Sequence, residues 1–375
     1  VRFKDIIGQK ETIERFTQSI NTGRISHAQL LIGPEGSGAL PLAIAYSQYI
    51  NCTNKRENDS CGECPSCKKT QKLIHPDLHF VFPVANTSSS GKGAVSDNFI
   101  EQWREFVLSN PYQNLNEWLS FLGVENKQGG IQKSESSEIL KKLTLKTYEA
   151  EYKVMIIWMA EKMNETCANK LLKIIEEPSE KTVFLLIAEN TEAILQTILS
   201  RVQVTRLHKI KDHEIATSIA NNFPLAEIPA DAIAEVAKGN ANKAIQLATG
   251  AISTALYFQL FTNFMRLAYT KNFIEIQKLQ NDFASLGREK QKLFLEYSLG
   301  LIRENFILNQ QSPEIVHLLP EEKQFSSKFS PFINERNIAI LTKEFNEAHY
   351  HIERNGNPKI IFLDLALKTI IAIKQ

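Results

Sequence analysis

No run of about eighteen or more apolar residues occurs anywhere in the chain, which excludes a hydrophobic membrane-spanning helix. The opening Val1-Arg2-Phe3-Lys4-Asp5 lacks the apolar stretch of a secretory signal, so a cytoplasmic location is expected. Neither charge dominates: 43 Lys and Arg stand against 42 Asp and Glu, a net +1. That balance removes the bulk field of a stand-alone nucleic-acid binder and leaves only local or shared contacts with DNA. Cysteine is scarce too, and four of the five fall between Cys52 and Cys67. A disulfide framework would scatter them, whereas clustering points to a metal.

At 375 residues the chain is long enough for two or three domains with their own cores. Ala28–Ile32 reads as a buried strand, running through Gly33-Pro34-Glu35-Gly36-Ser37-Gly38 into an apolar helix over Leu40–Tyr49. Two further buried strands are predicted at Val154–Met159 and Val183–Ile187, separated by a helix from Ala168 to Glu177 that stops at Pro178. Strands alternating with helices imply a parallel, doubly wound sheet. Residues 84–130 read as an inserted segment, with a polar Thr87–Gly93 stretch and aromatic helical pieces around Trp103 and Trp118. Trp103, Phe106, Trp118 and Phe121 are expected to form a small satellite core, because few basic residues accompany them as a base-stacking surface would require. After Arg206 short helices follow at Asp212–Asn221 and Asp231–Lys238. From Ile252 onward the pattern is amphipathic helix, interrupted at Pro313, Pro320, Pro331 and Pro358.

A phosphate-binding loop needs glycines that let backbone N–H groups wrap the phosphates, a lysine for the terminal phosphate and a hydroxyl for magnesium. Gly33, Gly36 and Gly38 supply the first requirement, but Ala39 and Leu40 occupy the lysine and hydroxyl positions. The later strand that should end in magnesium-holding acids ends in Trp158 and Met159. Two losses in one site predict that this chain hydrolyses no ATP, although a glycine loop at a helix N-terminus retains some attraction for anions.

Cys52, Cys61, Cys64 and Cys67 are spaced C-x8-C-x2-C-x2-C, with Gly62 and Pro65 turning the chain between them. Four thiolates close a tetrahedral Zn²⁺ site with no open position, so the expected role is structural. An iron–sulfur cluster is the alternative that four thiolates also suit. The neighbouring Lys68 and Lys69 are read as surface charges, and the lone Cys167 as a buried small residue.

Several segments together resemble the clamp-loader branch of the AAA+ family. Phe3–Gln9 resembles its N-terminal box and His27–Pro34 the approach to its phosphate loop. Asn169–Pro178 is close to its helix between the two later strands, and Thr197-Ile198-Leu199-Ser200-Arg201 matches its arginine-finger segment. The order holds from Phe3 to about Leu247. The resemblance implies an α/β AAA+ domain with a zinc module (residues 1–207, zinc at 52–67), a helical lid (208–250) and an all-α collar (251–375). Within the family, a defective site beside an intact finger is similar to the non-hydrolysing delta prime type. Arg201 would then act on ATP held by a neighbouring subunit, with Val202 replacing the family's cysteine beside it. Glu189 and Asn190 fall in the polar sensor region, and Asn242 stands where motor subunits carry a lid arginine. The implied partners are motor ATPase subunits, a clamp-opening subunit, the sliding clamp and primed DNA. An active ATPase motor and a zinc-dependent DNA-binding module are the competing readings.

Overall fold

The computed structural model describes residues 1–85, 93–124, 127–250, 254–310 and 315–374. It divides into two compact units: residues 1–218 with 237–245, and residues 219–236 with 246–375. The Thr87–Lys92 part of the polar stretch and Pro313 lie outside the described residues.

The first unit begins with a short 3-10 turn at Phe3–Asp5, then α1 (Lys10–Asn21), β1 (Ala28–Ile32), α2 (Ala39–Ile50), α3 (Pro65–Gln71) and β2 (Leu78–Val81). It continues through α4 (Ile100–Ser109), α5 (Leu115–Phe121), α6 (Lys133–Thr144), β3 (Lys153–Ile157), α7 (Glu165–Glu176), β4 (Thr182–Ala188), α8 (Gln196–Leu199) and β5 (Gln203–Arg206). The five strands order as β2-β3-β4-β1-β5, and every pairing is parallel. β1, β3 and β4 are buried along their whole length, as a sheet covered on both faces requires.

Alternate strand residues feed two cores. Leu31, Phe80, Val154, Ile156, Val183, Leu185 and Ile187 pack with α2 and the aromatic residues of α4 and α5. Leu30, Val81, Met155, Ile157, Phe184 and Leu186 pack with Ile139 and Leu143 of α6 and Cys167, Leu171 and Ile175 of α7. Cys167 is fully buried there, as its sequence context suggested.

Two expectations change. The aromatics of the inserted segment are no satellite: Trp103, Phe106 and Trp118 belong to the principal core on one face of the sheet. Trp103 stacks on Phe82 with centroids 4.2 Å apart and meets Trp118 at 5.3 Å and Trp158 at 5.0 Å. Phe121 alone stays 45% exposed. The insertion therefore replaces a covering layer rather than decorating the surface. The edge strands β2 and β5 were not legible. β2 is only four residues, interrupted by His79, and in β5 Thr205 alone is buried, so neither offers an apolar run of strand length.

Helices α9 (Asp212–Asn222), α10 (Ala230–Ala237) and α11 (Ala241–Ala248) carry the division between the units. The second unit continues with α12 (Thr254–Thr270), α13 (Phe273–Ser285), α14 (Arg288–Asn309), α15 (Pro320–Phe329), α16 (Ile338–Glu353) and α17 (Pro358–Ala372) around a phenylalanine-rich core. Pro320 and Pro358 open helices at N-terminal positions that lack an intrahelical partner for N–H, which is why they punctuate the pattern. Among the described residues no helix is long and apolar enough to cross a membrane.

Trp118 is fully buried and donates its indole N–H to the Pro83 carbonyl at 2.8 Å. Trp118→Ala should therefore destabilise the first unit by about 3–5 kcal/mol, read from the shift in its denaturant unfolding curve. A satellite position would leave that curve almost unmoved.

Candidate functional site

β1 and β4 lie side by side but lead off towards opposite edges of the sheet. Their C-terminal ends thus flank the crevice at which open parallel sheets hold ligands. The Gly33–Gly38 loop leaves β1 there, tied to β4 by Gly33 N–H on the Ala188 carbonyl at 3.2 Å. Gly36 and Gly38 both take positive φ, 71° and 91°, a conformation that disfavours side chains. Gly38 caps α2 directly. The backbone of a phosphate loop is present.

Its side chains are not. Ala39 begins α2, and Leu40, at the hydroxyl position, is buried in the core. Trp158 and Met159 follow β3 into the same hollow and are also buried, Trp158 against Trp103. What the sequence reading missed is the sign of charge around the loop. Glu35 and Glu189 line the hollow, and Glu161 accepts the Glu189 N–H at 3.0 Å. Although the Glu189 residue is largely exposed, partial desolvation of its carboxyl and repulsion from Glu35 and Glu161 push its pKa up to about 7. Each of these acids was visible in the sequence, but their convergence from three separate loops was not.

The hollow is also filled. Pro111, Tyr112 and Gln113, between α4 and α5, line it opposite the glycines. A Cβ added to Gly38 would come within 3.1 Å of the Tyr112 ring, and one on Gly36 within 1.9 Å of the Asn240 side-chain oxygen. About 30 Å³ remains.

Arg201 lies after α8 and is not among the residues lining this hollow. Its Nε donates to Glu176 at 2.8 Å and its Nη1 to the Thr197 carbonyl at 2.9 Å. The pair is partly exposed, and such ion pairs contribute only about 0–1 kcal/mol, so the guanidinium can be released at little cost.

The four cysteines do meet. Cys52 follows α2, Cys61 and Cys64 flank a turn at Gly62, and Cys67 lies in α3, which Cys64 caps and Pro65 opens. The ligand sulfurs all lie within 4.8 Å of one another. Sγ separations of 3.6, 3.9 and 4.0 Å compare with roughly 3.8 Å for the edge of a tetrahedron of 2.3 Å Zn–S bonds, and are far from the ~2.05 Å of a disulfide. Backbone N–H groups of Cys61, Cys64 and Cys67 point at neighbouring sulfurs, as thiolate ligands require. Burial pushes the Cys52 and Cys67 thiols up. In Cys64 burial is outweighed by hydrogen bonds from Thr53 and the Cys67 N–H, which bring it down to about 6. A central dication would remove the cost of the buried thiolates, so the residues fit Zn²⁺. Asp59, within the module, accepts the N–H groups of Phe3 and Lys4 at 3.1 Å each, fastening the N-terminal turn. Lys69 is paired with Glu149 at 2.7 Å, and Lys68 is exposed.

Fold and crevice thus define a parallel α/β protein with a glycine loop at the switch point of its sheet. The family model described as DNA polymerase III, delta subunit, matches residues 8–211, and the chain belongs to that family, in keeping with the clamp-loader resemblance of its motifs. It is 24% identical to DNA polymerase III subunit gamma of Buchnera aphidicola over 96% of this chain and 91% of that protein. With subunit delta' of Haemophilus influenzae it shares 30% identity over 54% of this chain, spanning about half (48%) of that relative's length. A gamma-subunit-related protein from Thermotoga maritima aligns structurally with 13% identity and a TM-score of 0.41, over 96% of this chain and 99% of that one.

Two outcomes follow from the geometry. Metal analysis of the purified chain should find about one zinc per molecule, and Cys64→Ser should lose most of it and lower Tm by several degrees. Because the Glu189 carboxyl is raised in the folded state, its contribution is present below the unfolded value of 4.5 and is lost as pH rises towards about 7. Glu189→Gln should therefore be neutral at pH 4 and stabilising at pH 8, measured by thermal unfolding at the two pH values.

Proposed function

We propose that this chain is a non-hydrolysing subunit of a DNA polymerase III clamp loader, of the delta prime type, with an AAA+ arm (1–207), a lid (208–250) and a helical collar (251–375). The observation that carries the reading is the state of the loop: its glycine backbone is kept, while Ala39, Leu40, Trp158 and Met159 replace the cation, hydroxyl and acids that ATP hydrolysis needs. Three acids around the same loop would repel a triphosphate further.

In this role Arg201 leaves Glu176 when a motor subunit docks and places its guanidinium on the γ-phosphate of that neighbour's ATP. A planar, permanently charged group suits the transition-state oxygens. The zinc module braces the N-terminal turn, so that the arm transmits force without nucleotide-dependent change. The collar joins the ring through α17, whose outer face carries Ile360, Leu363, Leu367 and Ile371 at helical spacing, all exposed. Its expected occupants are helices of other loader subunits. The complex as a whole would place the sliding clamp on primed DNA.

A motor reading is favoured by one observation: the gamma relative aligns over nearly the whole chain, whereas the delta' relative aligns over about half. ATP turnover by the purified chain, abolished by a change at Gly38, would establish that reading instead.

Arg201→Ala, reconstituted with the motor and clamp-opening subunits, should assemble normally by native mass spectrometry while lowering clamp-stimulated ATPase on the order of 10³-fold. Wild-type turnover in that complex would remove the finger role.

A further inference from the structure

We infer that residues Asn110–Glu117 of the insertion are a built-in occupant of the phosphate loop, holding the loop, the N-terminal box and residues 240–242 in one fixed arrangement. The inference rests on the non-hydrolysing reading and gives the insertion a purpose in it.

The first argument is space. The Tyr112 ring packs against Gly38 so closely that an added Cβ would stand 3.1 Å from its edge, and the residual volume over the loop is about 30 Å³. Small-molecule sites commonly occupy about 300–1,000 Å³, so what is left holds little more than a water. The second is hydrogen bonding. Tyr112 is 8% exposed, and its hydroxyl accepts the Ile7 N–H at 2.9 Å, linking the plug to the N-terminal box. Asn114 Nδ2 donates to Glu35 in the loop at 3.1 Å, and Asn240 Nδ2 donates to the same oxygen at 3.2 Å. Asn110 donates to Asn242 at 2.9 Å, and Asn242 donates onward to Glu117 at 2.6 Å. The Ala241 N–H closes the circuit on the Gly36 carbonyl at 3.1 Å. One segment thereby touches the three parts of the chain that converge on the loop.

The third argument is charge. The carboxamides of Asn114 and Asn240 satisfy Glu35 without adding charge beside Glu161 and Glu189, whereas a triphosphate would add negative charge to a negative cleft. The fourth is anchorage. Trp103 of α4 and Trp118 of α5, both fully buried, clamp the segment at each end, and Glu117 also completes the α5 capping box with Asn114. A strap fixed at both ends loses little entropy on docking, so an outside ligand competes at a disadvantage.

Hydrogen exchange of the full-length chain, wild type against Tyr112→Phe and Tyr112→Ala, tests this. Tyr112→Phe keeps the ring and removes the acceptor, so the Ile7 amide should exchange about tenfold faster while residues 35–40 keep their protection. Tyr112→Ala should speed exchange at Ile7, residues 35–40 and residues 240–242, with β1 unchanged as the control for folding. An unchanged Ile7 amide in Tyr112→Phe, or unchanged loop protection in a folded Tyr112→Ala, would overturn the inference. The two readings fail separately. ATP turnover by the wild-type chain would overturn the non-hydrolysing role, whereas unchanged loop protection in a chain without turnover would overturn only the plug.

Discussion

An aromatic cluster at the C-terminal end of the sheet constrains the rest of the first unit. Trp103 packs on Phe82, Trp118 and Trp158, all of them buried. A carboxylate at position 158 would be buried among these rings without a partner, a desolvation cost of several kcal/mol. The end of β3 is thus core here and no longer a place for a metal-binding acid. The same cluster fixes α4 and α5 against the sheet, and their connection then falls over the glycine loop.

From that packing the remaining chemistry divides cleanly by location. The loop hollow is crowded and lined by acids, with little free volume. The groups free to engage something outside the unit lie elsewhere: Arg201 in a partly exposed ion pair beyond α8, and the apolar outer face of α17 in the helical unit. The cysteine module contributes in a third way, since Asp59 ties it to the N-terminal turn and its sulfurs are already arranged at metal-binding separations.

Much of this was legible from local pattern. Apolar runs located β1, β3 and β4 because strands buried on both faces are apolar at every position. The glycine loop, the four-cysteine spacing and the isolated Cys167 declared themselves through residue type and short-range spacing alone. Strand β5 did not, since an edge strand with one buried residue carries no such signal. The insertion was misjudged for a related reason: Trp103 and Trp118 announce burial, but nothing in their neighbourhood says which surface they are buried against.

The sequence by itself carried the glycines of the loop, Ala39 and Leu40 beside them, Trp158 and Met159 after β3, and the thiol donor set, because each is read from residue type and local spacing. Only the tertiary structure decided that Glu35, Glu161 and Glu189 share a cleft, that Arg201 rests on Glu176, and that Tyr112 sits against Gly38. Those meetings join residues 25 to more than 100 positions apart, as the Arg201–Glu176 and Ile7–Tyr112 separations illustrate. They are set by which helix the sheet's faces accept, a property of the packed whole that local periodicity does not encode.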